Sequence, residues 1–169
     1  MNDMIDKDSA LTEDVQKLLD KDAIKELWYN SCYLVDEGDL DGVMESFTVD
    51  AMMDAGAFGR AEGRGAIREM LETLFSEGLL FTRHMVHNPV IQIDGEQARG
   101  KWYLDCPSIT GDGKAIWTQG IYEHEFRKAD GTWKISKFTF EAAYVTPYEK
   151  GWVKQPFLDG MPGELNWQP

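Results

Sequence analysis

Small and apolar residues recur at helical spacing in the first part of the chain. Between residues 12 and 38 they return every three or four positions, which is typical of a helix with one buried face. These positions are Val15, Leu18, Leu19, Ile24, Leu27, Trp28, Ser31 and Val35. Thr12, followed by two acids, predicts the start of this helix, and Gly38 predicts its end. A short second helix is predicted over residues 39–47.

The pattern then changes from helical spacing to strict alternation. A third helix is predicted between Gly65 and Gly78, where apolar residues occupy positions i, i+3, i+4, i+7 and i+8 from Ile67. After it the apolar positions alternate with period two, which predicts strands separated by Gly-containing turns. The predicted strands cover residues 82–86, 90–93, 97–104, 115–127 and 132–145. We therefore expect an α+β domain in which helices cover one face of a bent, mostly antiparallel sheet.

Length and composition indicate one globular unit. A chain of 169 residues with 43% hydrophobic residues is long enough to bury one core. We divide it into an acidic N-terminal tail (1–11), a domain (12–148) and an irregular C-terminal tail (149–169). The stretch from residue 147 onward holds four of the six prolines as well as Trp152 and Trp167. These tryptophans are expected to dock on the domain or on a neighbouring subunit.

Charge and cysteine content exclude several classes of function. The net charge of -13 disfavours nucleic acids and anionic membrane surfaces, because binding to phosphates needs clustered Lys and Arg. Cys32 and Cys106 form neither a CxxC motif nor a disulfide framework, so no structural metal is expected. The sequence contains no Gly-rich phosphate-binding loop, so no organic cofactor is expected. Without a signal peptide or a long apolar run, we expect a soluble cytoplasmic protein.

Asp36 and His84 are the strongest catalytic candidates. A carboxylate that orients an imidazole and stabilises its charged form can remove a proton without any cofactor. In a regular strand His84 shares a face with Thr82, Val86 and Asn88, whereas His87 lies on the opposite face. Only one of the two histidines should therefore face a pocket, unless a bulge intervenes.

Several short motifs occur in an order that resembles a known family. They are Ile24-x-x-Leu27, Val35-Asp36-x-Gly38-Asp39, Gly63-Arg64-Gly65-Ala66-Ile67, His84-x-x-x-Asn88-Pro89, Gly100-Lys101-Trp102-Tyr103-Leu104 and Gly120-x-Tyr122, followed by Asp130-Gly131-x-Trp133-Lys134-Ile135. Over residues 20–148 the chain is similar to the SnoaL-like branch of the nuclear transport factor two-like superfamily. The resemblance implies a cone-shaped α+β barrel with a deep apolar pocket. Its relatives include scytalone dehydratase, bile-acid dehydratases, hexachlorocyclohexane dehydrochlorinase, polyketide cyclases and non-catalytic small subunits of ring-hydroxylating dioxygenases.

The resemblance also implies roles for individual residues. Asp36 and His84 match the catalytic pair of the dehydratase and dehydrochlorinase relatives. Ser31 stands where several dehydratases have a tyrosine that binds the substrate oxygen. A tyrosine elsewhere in the chain is therefore expected to provide this hydroxyl: Tyr122, with Tyr29 and Tyr33 as alternatives. Phe138 stands where the dehydrochlorinases have an arginine, which argues against loss of a halide. The residues expected to bind substrate are Trp28, Ser31, Tyr33, Trp102, Leu104, Thr118, His124, Phe138 and Phe140.

Together these features predict a cofactor-independent lyase. Its substrate would be a small hydrophobic, hydroxylated compound, aromatic or polycyclic, held by an aromatic wall. Loss of water is the first expectation, carbon–carbon cleavage that releases formaldehyde or another small carbonyl the second, and isomerisation or cyclisation the third. The rival is a non-catalytic binding protein or an oxygenase small subunit, for which the fold alone suffices. The resemblance further implies a homo-oligomer, a trimer rather than a dimer.

Overall fold

The computed structural model describes residues 2–164, with side chains from Leu11 onward. The described residues form four helices: α1 (Asn2–Glu37), α2 (Leu40–Glu45), α3 (Arg64–Thr73) and the short α4 (Gly151–Lys154). Within the same range they form seven strands: β1 (Phe47–Asp54), β2 (Arg60–Glu62), β3 (Leu79–Thr82), β4 (Met85–Asp94), β5 (Gln97–Thr110), β6 (Ala115–Ala129) and β7 (Thr132–Pro147). A 3-10 turn covers Gly56–Phe58, and a π-helical turn covers Leu74–Gly78.

The strands form one curved sheet with the order β2-β1-β7-β6-β5-β3, and β4 pairs with β5 beside β3. All pairs are antiparallel except β1 with β7. Within the described residues, the β2 and β3 edges do not pair with each other, so the sheet is not closed. The predicted α+β class, with helices on a bent and mostly antiparallel sheet, is confirmed. The helices and the concave face of the sheet enclose the core.

Helix α1 is longer than the sequence pattern predicts. It begins at Asn2 rather than Thr12, because residues 2–11 contain no glycine or proline that would end a helix. The helix buries Ile24, Trp28 and Cys32 against the sheet. Val15, Leu18 and Leu19 were expected on the buried face but are exposed. The apolar stripe therefore continues beyond the point where the sheet covers the helix.

Asp20 connects the middle of α1, through hydrogen bonds, to two residues that flank the turn between β6 and β7. Its Oδ1 accepts hydrogen bonds from Trp133 Nε1 at 2.9 Å and from Lys128 Nζ at 2.8 Å. Burial raises the pKa of Asp20, but the hydrogen bonds from Lys128 and Trp133 outweigh it and leave this pKa below its ordinary value. The lysine also lies over the Trp133 ring, 5.1 Å from its centroid. This contact fixes the helix against the sheet and thereby sets the position of Asp36, four turns further along.

The structure also departs from the predicted elements after α1. The helix expected over 39–47 ends at Glu45, and β1 and β2 follow where no strand was predicted. Burial in β1 alternates only from Asp50 to Asp54, because a register shift against β7 interrupts the strand between Phe47 and Met52. His84 was expected within a strand but lies between β3 and β4. A second irregularity follows at Asn88, whose φ is 54°.

The C-terminal segment packs on the domain as far as the structure describes it. The Trp152 ring stacks on Tyr144, with centroids 5.2 Å apart, and its edge meets Trp117. The backbone N–H of Val145 donates to the carbonyl of Pro156 at 2.9 Å. The docking expected for Trp152 is thus present, whereas Trp167 lies outside the described residues. No helix in the described part of the chain is both long and apolar enough to cross a membrane.

Candidate active site

An apolar cavity of about 110 Å³ lies between the helices and the concave face of the sheet. It is lined by side chains from α1, α2, α3, the 3-10 and π-helical turns, strands β1, β3, β5, β6 and β7, and the break between β3 and β4. Its aromatic wall consists of Trp28, Phe47, Phe58, Phe75, Phe138 and Phe140, with Tyr122 beside them. Such a wall favours a flat apolar molecule through ring contacts and burial of area.

Asp36 and His84 meet at one side of this cavity. Asp36 Oδ1 lies 2.6 Å from His84 Nδ1, which is the contact that the sequence predicts. The Asp36 side chain is 2% exposed and the His84 side chain 15% exposed. The His84 ring lines the cavity, while Asp36 lies behind it. Because Nδ1 is taken by the carboxylate, Nε2 is the nitrogen left for a bound molecule.

The Asp36 carboxylate is held by three donors. Besides the His84 ring, the hydroxyl of Thr82 donates to Oδ1 at 2.8 Å and the backbone N–H of His84 donates to Oδ2 at 2.8 Å. Burial raises the pKa of Asp36, but the hydrogen bonds from His84 and Thr82 outweigh it and lower this pKa below its ordinary value. The carboxylate therefore stays charged at neutral pH. A charged acceptor at Nδ1 keeps the ring proton on that nitrogen and leaves Nε2 free to act as a base.

The break between β3 and β4 determines which histidine reaches the cavity. Thr82 lies opposite Ser108 and Met85 lies opposite Asp105, so one register with β5 runs through the break and places His84 opposite Cys106. His87 is exposed. The alternation predicted for this segment therefore holds from Thr82 to His87. It fails at Asn88, which was expected on the His84 face but is exposed at the bulge.

Tyr122 is the tyrosine that lines the cavity. Its side chain is 4% exposed, and burial raises its pKa well above the ordinary value, so the hydroxyl stays protonated. No hydrogen-bond partner for this hydroxyl lies within the described residues. Tyr122 is thus able to donate to an oxygen of a bound molecule. Tyr33, considered as an alternative, is 62% exposed on the outer side of α1, one position past the cavity-lining Cys32.

The predicted substrate-binding residues fall into two groups. Trp28, Ser31, Leu104, Thr118, Phe138 and Phe140 line the cavity as expected. Tyr33, Trp102 and His124 do not. Trp102 is fully buried next to Gly100, in a layer beyond Trp28. The alternation of β5 and β6 correctly predicted that these side chains face inward. It could not predict which inward side chains line the cavity and which pack in the core beside it.

His124 belongs to the aromatic core rather than to the cavity. Its ring stacks on Phe138 at 4.7 Å and meets Trp28 edge-on at 4.3 Å. Burial lowers the pKa of His124 to about 3, so the ring is neutral at physiological pH. Its Nδ1 accepts from the backbone N–H of Thr139 at 3.4 Å. A neutral buried ring of this kind is unsuited to a second acid or base beside His84.

Sequence reasoning missed several polar groups of the cavity wall. Cys32, Cys106 and Ser108 line it, although none was predicted there. Cys106 and Ser108 have the same parity in β5 as Leu104, so the alternation could have found them. Burial raises the pKa of Cys32 well above its ordinary value, so its thiol stays protonated and is not a nucleophile. The Ser31 hydroxyl lies 2.7 Å from Ser46 Oγ and 2.8 Å from the Leu27 carbonyl oxygen, so it is already engaged within the protein.

Within the residues that the structure describes, no cluster of three or more His, Cys, Asp or Glu side chains is arranged to hold a metal ion.

Comparison with known proteins matches both the sequence and the fold. The family model described as SnoaL-like domain matches residues 16–139. No curated protein matches the chain. A candidate aromatic ring hydroxylase from Novosphingobium aromaticivorans is 26% identical, with a TM-score of 0.72 over 77% of this chain and 94% of that chain. A candidate scytalone dehydratase from the same organism is 19% identical, with a TM-score of 0.72 over 87% of this chain and 97% of that chain.

A third solved structure, a hexachlorocyclohexane dehydrochlorinase from Novosphingobium barchaimii, is 20% identical, with a TM-score of 0.74 over 79% of this chain and 93% of that chain. At such identities the likeness to the dehydratase and the dehydrochlorinase concerns the fold. The family match covers both members of the Asp36–His84 pair. It also covers Tyr122, the candidate for the hydroxyl that binds the substrate oxygen, and Phe138, which argues against loss of a halide.

Proposed function

Because this chain belongs to the SnoaL-like domain family, we propose that it is a cofactor-independent lyase that removes water from a small, hydroxylated aromatic compound. Neighbours of the same fold include proteins described as a dehydratase and as dehydrochlorinases, which is consistent with lyase chemistry. The observation that carries the proposal is the 2.6 Å contact between a buried carboxylate and a histidine whose ring lines an apolar cavity. A general base held in this way is the minimal equipment for an elimination.

The proposed step begins at His84 Nε2. This nitrogen takes a proton from the carbon next to the one that bears the hydroxyl group. The electron pair of the C–H bond forms a carbon–carbon double bond, and the C–O bond breaks. The departing oxygen takes a proton from the His84 imidazolium, so that water leaves and the neutral base returns. Asp36 stabilises the imidazolium between the two proton transfers.

Tyr122 is assigned to the oxygen atom on which negative charge develops. Its hydroxyl is protonated, lines the cavity and has no hydrogen-bond partner among the described residues. A donor that already points into a water-poor cavity needs little reorganisation when charge appears, which is why such donors assist catalysis. The aromatic wall would hold the ring of the substrate by burial of apolar area.

Loss of a halide is not proposed, although dehydrochlorinases share the fold. Phe138 occupies the position where the resemblance places a halide-stabilising arginine, and its ring packs on Trp28 and Tyr122. An apolar ring at this position offers no charge to a departing anion. Hydroxide, in contrast, can leave as neutral water after protonation by His84.

The test is a turnover assay on a panel of hydroxylated aromatic and bicyclic compounds. Water loss is followed by the absorbance of the new conjugated double bond, and released aldehyde is trapped and measured separately. We expect the His84→Ala variant to lose about a hundredfold to ten-thousandfold in turnover, the usual contribution of a positioned base. Ligand affinity should change little, because the ring contributes only one part of the cavity wall. The unfolding temperature should fall, because the buried Asp36 carboxylate loses its ring donor.

Each outcome bears on the proposal. Aldehyde release without water loss would replace dehydration by carbon–carbon cleavage at the same base. Full turnover by His84→Ala would remove His84 from the mechanism. Tight binding of panel compounds without any turnover by the wild type would favour the non-catalytic alternative, a pocket protein or an oxygenase small subunit.

A further inference from the structure

A short strip of buried polar side chains lies on the sheet wall next to His84. The strip consists of Cys106 and Ser108 on β5 and Thr118 on β6, and all three line the cavity. Cys106 is the register partner of Thr118, and Ser108 is the partner of Thr82, whose hydroxyl holds Asp36. With His84 opposite Cys106, the strip begins at the base and runs across two strands.

The two hydroxyls of the strip lack ordinary partners. Ser108 is 5% exposed and Thr118 is 6% exposed. The Ser108 hydroxyl contacts the Cys106 thiol, with 3.4 Å between Oγ and Sγ, and a thiol is a weak donor and acceptor. For Thr118, no hydrogen-bond partner lies within the described residues. Buried polar groups are nearly always hydrogen-bonded. Two hydroxyls with unsatisfied hydrogen-bonding capacity in an apolar wall therefore indicate that a bound molecule supplies their missing partner.

We propose that Ser108 and Thr118 form a subsite that binds a hydroxyl group on the ring of the substrate. A phenolic or ring hydroxyl both donates and accepts hydrogen bonds, as do the hydroxyls of serine and threonine. The ligand hydroxyl can therefore hydrogen-bond with both Ser108 and Thr118. Burial raises the pKa of Cys106, so its thiol stays protonated, and its one proton faces either the Pro107 carbonyl oxygen, 3.9 Å from Sγ, or the Ser108 hydroxyl. In both cases a lone pair of the Ser108 oxygen is left to accept from the ligand. The substrate is then a ring with one oxygen on the strip and its reacting carbon at His84.

The inference rests on the proposed function for its substrate, but its test needs only binding. Isothermal titration calorimetry measures the dissociation constants of p-cresol and toluene, which differ by one hydroxyl group. Displacement of toluene by p-cresol establishes that both occupy the same cavity. The measured quantity is the preference, defined as the dissociation constant of toluene divided by that of p-cresol.

The variants are Ser108→Ala and Thr118→Val, each of which removes a hydroxyl and keeps most of the side-chain volume. We expect each to lower the preference about tenfold, since an unpaired ligand hydroxyl in an apolar cavity costs roughly that factor. The affinity for toluene should stay within about twofold. Thr48→Val is the matched control, because Thr48 is equally buried but does not line the cavity, and its preference should equal that of the wild type.

Two results would overturn the subsite. One is a preference that survives in both Ser108→Ala and Thr118→Val, and the other is a wild type that binds toluene and p-cresol equally. Loss of the preference only in His84→Ala or Tyr122→Phe would also overturn it, because the ligand hydroxyl would then be bound by His84 or Tyr122 rather than by the strip. Absence of turnover in the panel assay, with the preference and its loss as expected, would contradict the lyase proposal and leave the subsite intact.

Discussion

Replacing Asp36 by asparagine changes one atom of the carboxylate and should reverse the proton arrangement of His84. In the wild type, Oδ2 accepts from the backbone N–H of His84, and Oδ1 accepts from the ring and from Thr82. The backbone N–H cannot become an acceptor, so the asparagine oxygen must face it. The amide NH₂ then faces the ring and donates to Nδ1. The ring proton moves to Nε2, which can no longer act as a base.

The expected loss follows from this arrangement. The wrong tautomer and the missing negative charge should together lower kcat/KM by about a hundredfold to ten-thousandfold, or roughly 2.7–5.4 kcal/mol of transition-state stabilisation. Thr82→Val is the control, because it removes one hydrogen bond to the carboxylate and keeps the charge. Its cost should be only about tenfold, the lower end of the range for one hydrogen bond to a charged group.

Two measurements check the reasoning, and one of them needs no substrate. Nitrogen-15 NMR of the imidazole should show the neutral ring protonated at Nδ1 in the wild type and at Nε2 in Asp36→Asn. The panel assay provides the loss of kcat/KM. An unchanged tautomer in Asp36→Asn, or turnover equal to that of the wild type, would refute the role given to the carboxylate.

The stability of the same variant has a defined pH dependence. Because the folded pKa of Asp36 lies below its unfolded value, the carboxylate contributes stability above the unfolded pKa. This contribution is lost as the pH falls through the folded pKa. The difference in unfolding free energy between wild type and Asp36→Asn should therefore be largest near neutral pH and shrink below about pH 4, the usual range of an aspartate.

Three further predictions concern other parts of the molecule. His124 has a folded pKa of about 3, so below about pH 6.5 the unfolded chain binds a proton that the folded chain does not. Between about pH 6.5 and about pH 3 the free energy of unfolding should therefore fall by up to ~1.4 kcal/mol per pH unit. Chemical denaturation should show this fall in the wild type and a smaller one in His124→Phe. Turnover should survive dialysis against a chelator, and a loss that added metal restores would contradict proton transfer by side chains alone. We also propose a homo-oligomer, a trimer in the first place, because Phe81, Met85 and Tyr103 expose apolar area on the outer face of the sheet; sedimentation of a 19.2 kDa monomer at micromolar concentration would contradict this.

Alternation and helical spacing predicted the elements that carry the site. Hydrophobic spacing identified the inward face of α1 around Ile24 and Trp28, the α3 helix and the long strands β5 to β7. These patterns are local, because burial on one side of a regular element imposes its period directly on the sequence. The resemblance added the pairing of Asp36 with His84, which lie 48 positions apart and which no local pattern connects. The catalytic role of the pair and of Tyr122 stays a prediction.

Other features depended on contacts between distant segments. The β1 strand exists because β7 offers a parallel partner, and its own sequence has no clear period. Trp102 and His124 have the right parity for the cavity but lie in a deeper layer, covered by Trp28 from another element. The Ser31 hydroxyl is engaged by Ser46 rather than free for a substrate.

The sequence by itself thus determined which side of each element faces inward and which residue types are available for proton transfer. Only the tertiary structure decided how deep each side chain lies and which polar groups find partners. Depth and hydrogen bonding depend on the packing of several elements around one volume. For this reason the row of His84, Cys106 and Thr118, which joins the break between β3 and β4 to strands β5 and β6, could not be predicted from the chain alone.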